Sequence, residues 1–131
     1  MNIDPQLWGP CGWKFLHYIS LGYPKKPTLD QKRYYREFVE SLPYVLPCHT
    51  CREHFKETLR HYDMTNVLNS RKQLFEFFVD AHNRVNKKNN KPVYSYEKIY
   101  ADYEIKNKQS FNYILYIVIF IVIYGIYRYQ K

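Results

Sequence analysis

Nineteen consecutive residues without a charge, Gln109 to Tyr127 in "QSFNYILYIVIFIVIYGIY", restrict the architectures open to this chain more than any other feature. A helix that is apolar on every side has to be enclosed by a large protein or by lipid. With 131 residues, the chain has room for one domain with a modest core, too small to surround such a helix. The run approaches the ~20 apolar residues that a bilayer core requires, and tyrosines near both ends suit the headgroup level. Lys106 and Lys108 precede it, and Arg128 and Lys131 follow it. We therefore expect one C-terminal transmembrane helix, with residues 1–106 as the folded domain and 107–131 as a single-pass membrane anchor. The first residues, "MNIDPQLWGP", lack the basic start and apolar run of a signal peptide. The simplest topology is then tail-anchored, with the domain facing the cytosol. Basic residues flank both ends of the span, so the charge rule does not fix its orientation.

Composition narrows the function less than it narrows the fold. The net charge of +8 fits nucleic acid, acidic lipid or a phosphate-bearing cofactor equally well. The 15 tyrosines accompany many Lys, Asn, Ile and Phe residues, all specified by A/T-rich codons, so they are not read as a base-stacking surface. Three cysteines cannot make a disulfide framework.

Ahead of the anchor the signals are helical, and no strand or repeat is convincing. A first helix is expected from Pro10 to about Ser20, with Trp13, Leu16 and Ser20 on one side. Thr28 and Gln31 form a capping-box pattern that opens a second helix, striped by Tyr34, Tyr35, Phe38, Val39 and Leu42 and ended by Pro43. A third helix is expected from Pro47 and Cys48 to about His61, with Cys51, Phe55 and Leu59 on one face. Ser70 and Gln73 repeat the capping pattern before a fourth, in which Leu74, Phe77, Phe78, Ala81, His82, Val85 and Asn86 follow helical spacing. A shorter fifth starts near Ser95 and carries Ile99, Tyr100 and Tyr103. The fold class is all-α: a four-helix bundle with a short fifth helix, plus the anchor.

Cys48 and Cys51, in "PCHTC", admit three readings. With His54 and His61 they give C-x2-C-x2-H-x6-H, which has zinc-binding atoms at an unusual spacing. On one helix, position 61 lies roughly 10 Å beyond position 54 at 1.5 Å per residue, so four ligands would not converge without a break. A structural disulfide closing so small a loop removes little unfolded-chain entropy. A redox pair has a positive reason: the first turn of a helix offers unpaired N–H groups and a positive dipole end, which lower a thiol's pKa. Redox chemistry ranks above zinc, which stays open on spacing alone. Cys11 reads as a free thiol or as a transient partner of the pair.

Three separated motifs together resemble the Erv/ALR family of FAD-linked sulfhydryl oxidases. They are "WKFLH" (Trp13 to His17) followed by "YP" and "PT", the CxxC at a helix start, and "HNRVNKKNNKP" (His82 to Pro92). The last resembles the family's H-N-x-V-N-x-K-x-x-K-P segment at every specified position, and the likeness runs from Trp8 to Tyr103. It implies a helical bundle that holds FAD with its ring against the CxxC. By position, Cys51 is the flavin-proximal cysteine and Cys48 the one that exchanges with substrate thiols. Trp13, His17, His82, Asn83, Asn86, Lys88 and Lys91 match cofactor-lining positions, with Tyr23 a further candidate. Taken alone, the lysines read as a solvated basic loop and His82 as a satisfied core histidine. FAD gives the polar groups on the buried side of helix four a partner, and Lys88 and Lys91 would face its pyrophosphate.

The resemblance also implies an activity: protein thiols are oxidised to disulfides, with electrons passing through the CxxC pair and FAD to O2 to give H2O2. Where the family commonly places an adenine-stacking tryptophan, this chain has Tyr103, and it has no second shuttle CxxC. In that it resembles the compact single-CxxC form of large cytoplasmic DNA viruses, which places it in a virion or host membrane. Family members are commonly homodimers, and the tyrosine-rich face of helix two suits either such an interface or the core. Two other classes compete. One is a membrane-tethered zinc-binding adaptor built on Cys48, Cys51, His54 and His61. The other is a nucleic-acid module around "NRVNKKNNK", which has no use for the cysteine pair; no nucleic-acid partner is expected.

Overall fold

A computed structural model describes residues 2–129, with the side chains of 105–114 outside the description. The chain divides into two units, Met1–Val93 and Tyr94–Lys131. The first contains α1 (Pro5–Gly22), α2 (Leu29–Val45), α3 (His49–Leu59), a single turn α4 (Met64–Val67) and α5 (Arg71–Lys88); the second is α6 (Tyr96–Tyr129). The described residues include no strand.

Helix starts follow their caps. α1 begins five residues earlier than Pro10 because Asp4 and Pro5 are the stronger pair. The Asp4 carboxylate accepts the Gln6 N–H at 2.9 Å, and Pro5 occupies the first turn, where its missing N–H costs nothing. Pro10 lies inside the helix. The expected box at α2 is complete: Gln31 N–H donates to Thr28 Oγ1 at 3.2 Å, and Thr28 N–H to Gln31 Oε1 at 2.9 Å. At α5 the Gln73 N–H reaches Ser70 Oγ at 3.3 Å, but the Gln73 side chain accepts the Ser70 hydroxyl in place of the backbone N–H. α2 runs two residues past Pro43, which is buried in its last turns.

The core of the first unit is gathered around Phe77. Its ring meets Phe55 of α3 at 6.3 Å, Tyr62 at 5.1 Å and Phe78 at 5.2 Å, all edge-on, the geometry that aromatic quadrupoles favour. Leu16, Tyr23, Val39, Leu42, Met64, Val67, Leu68, Leu74 and Ala81 complete it. The stripe expected on α2 is narrower than its sequence suggests. Val39 and Leu42 are buried and Tyr35 and Phe38 pack against them, whereas Tyr34 is 57% exposed and lies 4.5 Å from the Arg33 guanidinium.

In the second unit, one helix stands where a short helix and a separate anchor were expected, because no proline follows Pro92. The expected boundary at 106/107 and part of the expected span, 109–114, fall on residues whose side chains lie outside the description. Among the described residues, no helix is long and apolar enough to cross a membrane.

Candidate active site

Cys48 ends an extended stretch (φ −131°, ψ 126°) and caps α3. Its sulfur accepts the Cys51 N–H at 3.2 Å, and the two cysteines form a disulfide with Cα atoms 5.1 Å apart. A sulfur in this place takes over one of the orphan donors of a helix start. Negative charge on either sulfur would therefore sit at the positive end of the α3 dipole. The pair is asymmetric in access: Cys48 is 3% exposed, and Cys51 is half-buried. Among the described residues, no group of three or more His, Cys, Asp or Glu side chains is arranged to hold a metal.

α1 and α5 bring together three of the sequence-predicted residues. Trp13 and His82 stack face to face, with centroids 4.4 Å apart and planes 6° from parallel. His17 Nε2 lies 3.3 Å from His82 Nδ1, and Phe75, which sequence reasoning missed, tilts over His17 at 5.8 Å. A hydrogen bond between the two rings needs one N–H and one bare nitrogen, so at least the accepting ring is neutral. Their pKa values agree. Burial, then the neighbouring His82, takes His17 down to about 4; burial, then the charge of Lys91, takes His82 down to about 4.

The end of α5 shapes the approach to this cluster. Asn90 turns the chain with φ 52°, the left-handed region that asparagine tolerates better than most residues. Lys91 N–H then reaches the Asn86 carbonyl at 2.8 Å, and the buried Asn86 side chain donates to the Pro92 carbonyl at 3.1 Å. Asn86 thus holds the loop that carries Lys91. Its predicted place on the buried side of the helix is observed, and its amide spends a donor on the backbone.

Tyr23 and Lys88 separate from this group. Tyr23 is enclosed completely: its hydroxyl donates to the Leu68 carbonyl at 2.9 Å and its ring packs on Tyr35 at 4.4 Å, the contacts of a core tyrosine. Burial, then Tyr35, raises its pKa. Lys88 lies about 120° round the helix from His82 at 100° per residue. Its ammonium meets Glu57 of α3 at 2.7 Å, which holds that carboxyl below the usual range, by hydrogen bond first and charge second. The two line a cleft of about 390 Å³ with His54, Thr58, Arg84, Val85 and Lys87. Asn83 is half-buried on α5. His61 is exposed, and Tyr103 belongs to the second unit. Trp8 is a further addition: its indole N–H is enclosed with no acceptor among the described residues, and its ring lies so close to Gly12 that a Cβ there would sit 3.0 Å from it. The i, i+4 spacing of Trp8 and Gly12 was a usable signal.

The donor set fits a flavin dinucleotide. Trp13 offers a flat aromatic face, the two imidazoles are neutral donors and acceptors beside it, and Lys91, whose charge reaches His82, supplies positive charge for phosphates. A helical bundle with a disulfide at a helix start and a neutral, aromatic-walled histidine cluster between α1 and α5 is the architecture of a thiol-redox domain with room for an aromatic cofactor.

The Erv1 / Alr family profile matches residues 10–104, and the chain belongs to that family. A protein of Acanthamoeba polyphaga mimivirus named as an FAD-linked sulfhydryl oxidase is 39% identical over 115 residues, 84% of this chain and 80% of the relative. One so named in Invertebrate iridescent virus 3 is 37% identical over 105 residues, 80% of this chain and 71% of its own length. The crystal structure of the FAD-binding domain of Erv1 from Saccharomyces cerevisiae superposes with a TM-score of 0.68 at 30% identity, covering 73% of this chain and 90% of that one.

Proposed function

We propose that this chain is an FAD-dependent thiol oxidase that introduces disulfides into protein substrates. The observation that carries the reading is the Cys48–Cys51 disulfide capping α3 in a member of the Erv1/Alr family. A substrate thiolate attacks Cys48 Sγ; the new S–S bond forms as the Cys48–Cys51 bond breaks, and its electron pair leaves on Cys51 Sγ. The leaving thiolate lies in the first turn of α3, where the dipole favours it, and a better-stabilised leaving thiol leaves faster. A second substrate thiol then attacks the mixed disulfide and releases Cys48, so that the substrate is oxidised by two electrons and the pair is reduced. When bound, FAD would supply the two-electron acceptor that restores the Cys48–Cys51 disulfide, with O2 as the final acceptor and H2O2 as its product.

Trp13, His17 and His82 would hold that cofactor, with Asn86 acting through the loop that carries Lys91. Both histidines are neutral near pH 7 and donate or accept without adding charge. Cys51→Ser should abolish thiol-dependent oxygen consumption while the protein stays yellow; turnover in that variant would overturn the assignment.

The run 109–127 is proposed as the anchor, with the domain facing the cytosol. The uncharged sequence supports this, as do the exposed apolar side chains of Leu115 to Tyr127 on α6. Retention of the full chain in membranes after alkaline extraction, and its loss on truncation at residue 106, tests it.

A further inference from the structure

The cysteine assigned to meet substrate is the less accessible of the two, and the chain's own N-terminal residues stand beside it. Ile3 N–H donates to the Pro47 carbonyl at 2.8 Å, and His49 N–H donates to Asn2 Oδ1 at 3.0 Å. These bonds fall on the residues immediately before and after Cys48. The dihedrals of Cys48 are those of a strand, and in an extended residue the preceding carbonyl and the following N–H project to the same side. Pro47 and His49 therefore present one acceptor and one donor along a single edge, with the reactive cysteine between them. The His49 N–H is available because it opens α3 and has no partner within the helix.

We infer that this edge is the docking site for an extended, cysteine-bearing stretch of the substrate polypeptide, and that residues 2–3 occupy it as a strap until substrate displaces them. The edge offers two backbone hydrogen bonds, the means by which peptides add to an open strand. Holding the substrate chain there would bring its cysteine alongside Cys48. The strap itself is weakly held: Asn2 is exposed and Ile3 is 38% exposed, so it can open locally without loss of the bundle. The inference rests on Cys48 being the substrate-facing cysteine.

Two measurements test it. In full-length Cys51→Ser protein, Cys48 is a free thiol, and its alkylation by iodoacetamide can be followed by peptide mass spectrometry with the exposed Cys11 as internal reference. Adding Ile3→Pro, which removes the N–H donor, or Asn2→Ala, which removes the side-chain acceptor, should raise the Cys48 rate relative to Cys11. The expected rise is about tenfold when both are combined, the scale of two hydrogen bonds. An unchanged ratio in both single variants and the double variant overturns the strap. No flavin or turnover enters this readout, so it stands apart from the oxidase reading, which fails if the wild-type holoprotein consumes no oxygen with dithiothreitol. The docking edge is tested on the holoprotein with a reduced cysteinyl peptide, N-methylated or not at the residues on both sides of its cysteine. Methylation should lower kcat/KM roughly tenfold and leave dithiothreitol oxidation unaffected; equal rates for the two peptides overturn the edge.

Discussion

The two halves of α5 are the same helix under different rules. Its first half buries Leu74, Phe75, Phe77, Phe78, Val79 and Ala81, almost without a polar atom among them. Its second half turns half-buried His82 and buried Asn86 toward one side, with Arg84 and Lys88 toward another. The first half makes the bundle stable. The second spends part of that stability on keeping two imidazoles out of water, which only a well-packed neighbour can enforce.

Replacing Phe78 by Ala should break the first half, costing about 3–5 kcal/mol in urea unfolding, a large share of the stability of a domain this size. The molecules that remain folded should keep their flavin; if flavin is lost in proportion to Phe78 packing alone, the halves are not separable. His82→Ala should show the opposite pattern. Loss of its stacking on Trp13 costs only about 0.5–1.5 kcal/mol, yet gel filtration should strip the flavin; full retention would remove His82 from the cofactor site.

Acidification sharpens the comparison further. His17 and His82 titrate near 4 in the folded protein against an ordinary value of 6.5. Between those values the unfolded chain binds protons that the folded chain refuses, so stability of the flavin-free protein falls as pH drops from 6.5 toward 4 and is flat above. The fall should be shallower in His82→Asn, as read from urea midpoints across that window. Smallest of all is Lys88→Ala. Its pair with Glu57 is exposed at both ends, and such pairs contribute little, so stability should stay within the scatter of replicate unfolding curves.

The same division explains what could be read in advance. The buried stripe of α5, the capping box of α2 and the placement of Cys48 at a helix start all follow from local pattern, and all are observed. Trp13, His17 and His82 were recognisable as motif members, and α1 packing against α5 joins them. Lys88 was placed with His82 by motif, but helical geometry turns it toward α3. That distinction depends on which neighbour each face of α5 meets, a tertiary fact. Tyr23 was ambiguous for a similar reason: only the fold puts the Leu68 carbonyl within reach of its hydroxyl. Nothing local in "MNIDP" announced that residues 2 and 3 would lie beside Cys48, because that contact spans more than forty positions of chain.

Asn90 is wired to one of the histidines through the backbone turn it makes. Its left-handed backbone sets the turn that returns Lys91 to Asn86, and the charge of Lys91 is one of the two influences that keep His82 deprotonated. A β-branched residue at 90 would resist that backbone at a cost of about 1–2 kcal/mol. The lesion would then surface elsewhere, as an upward drift in the His82 titration seen by NMR. A surveyor of variants would score position 90 as a loop and find an electrostatic phenotype.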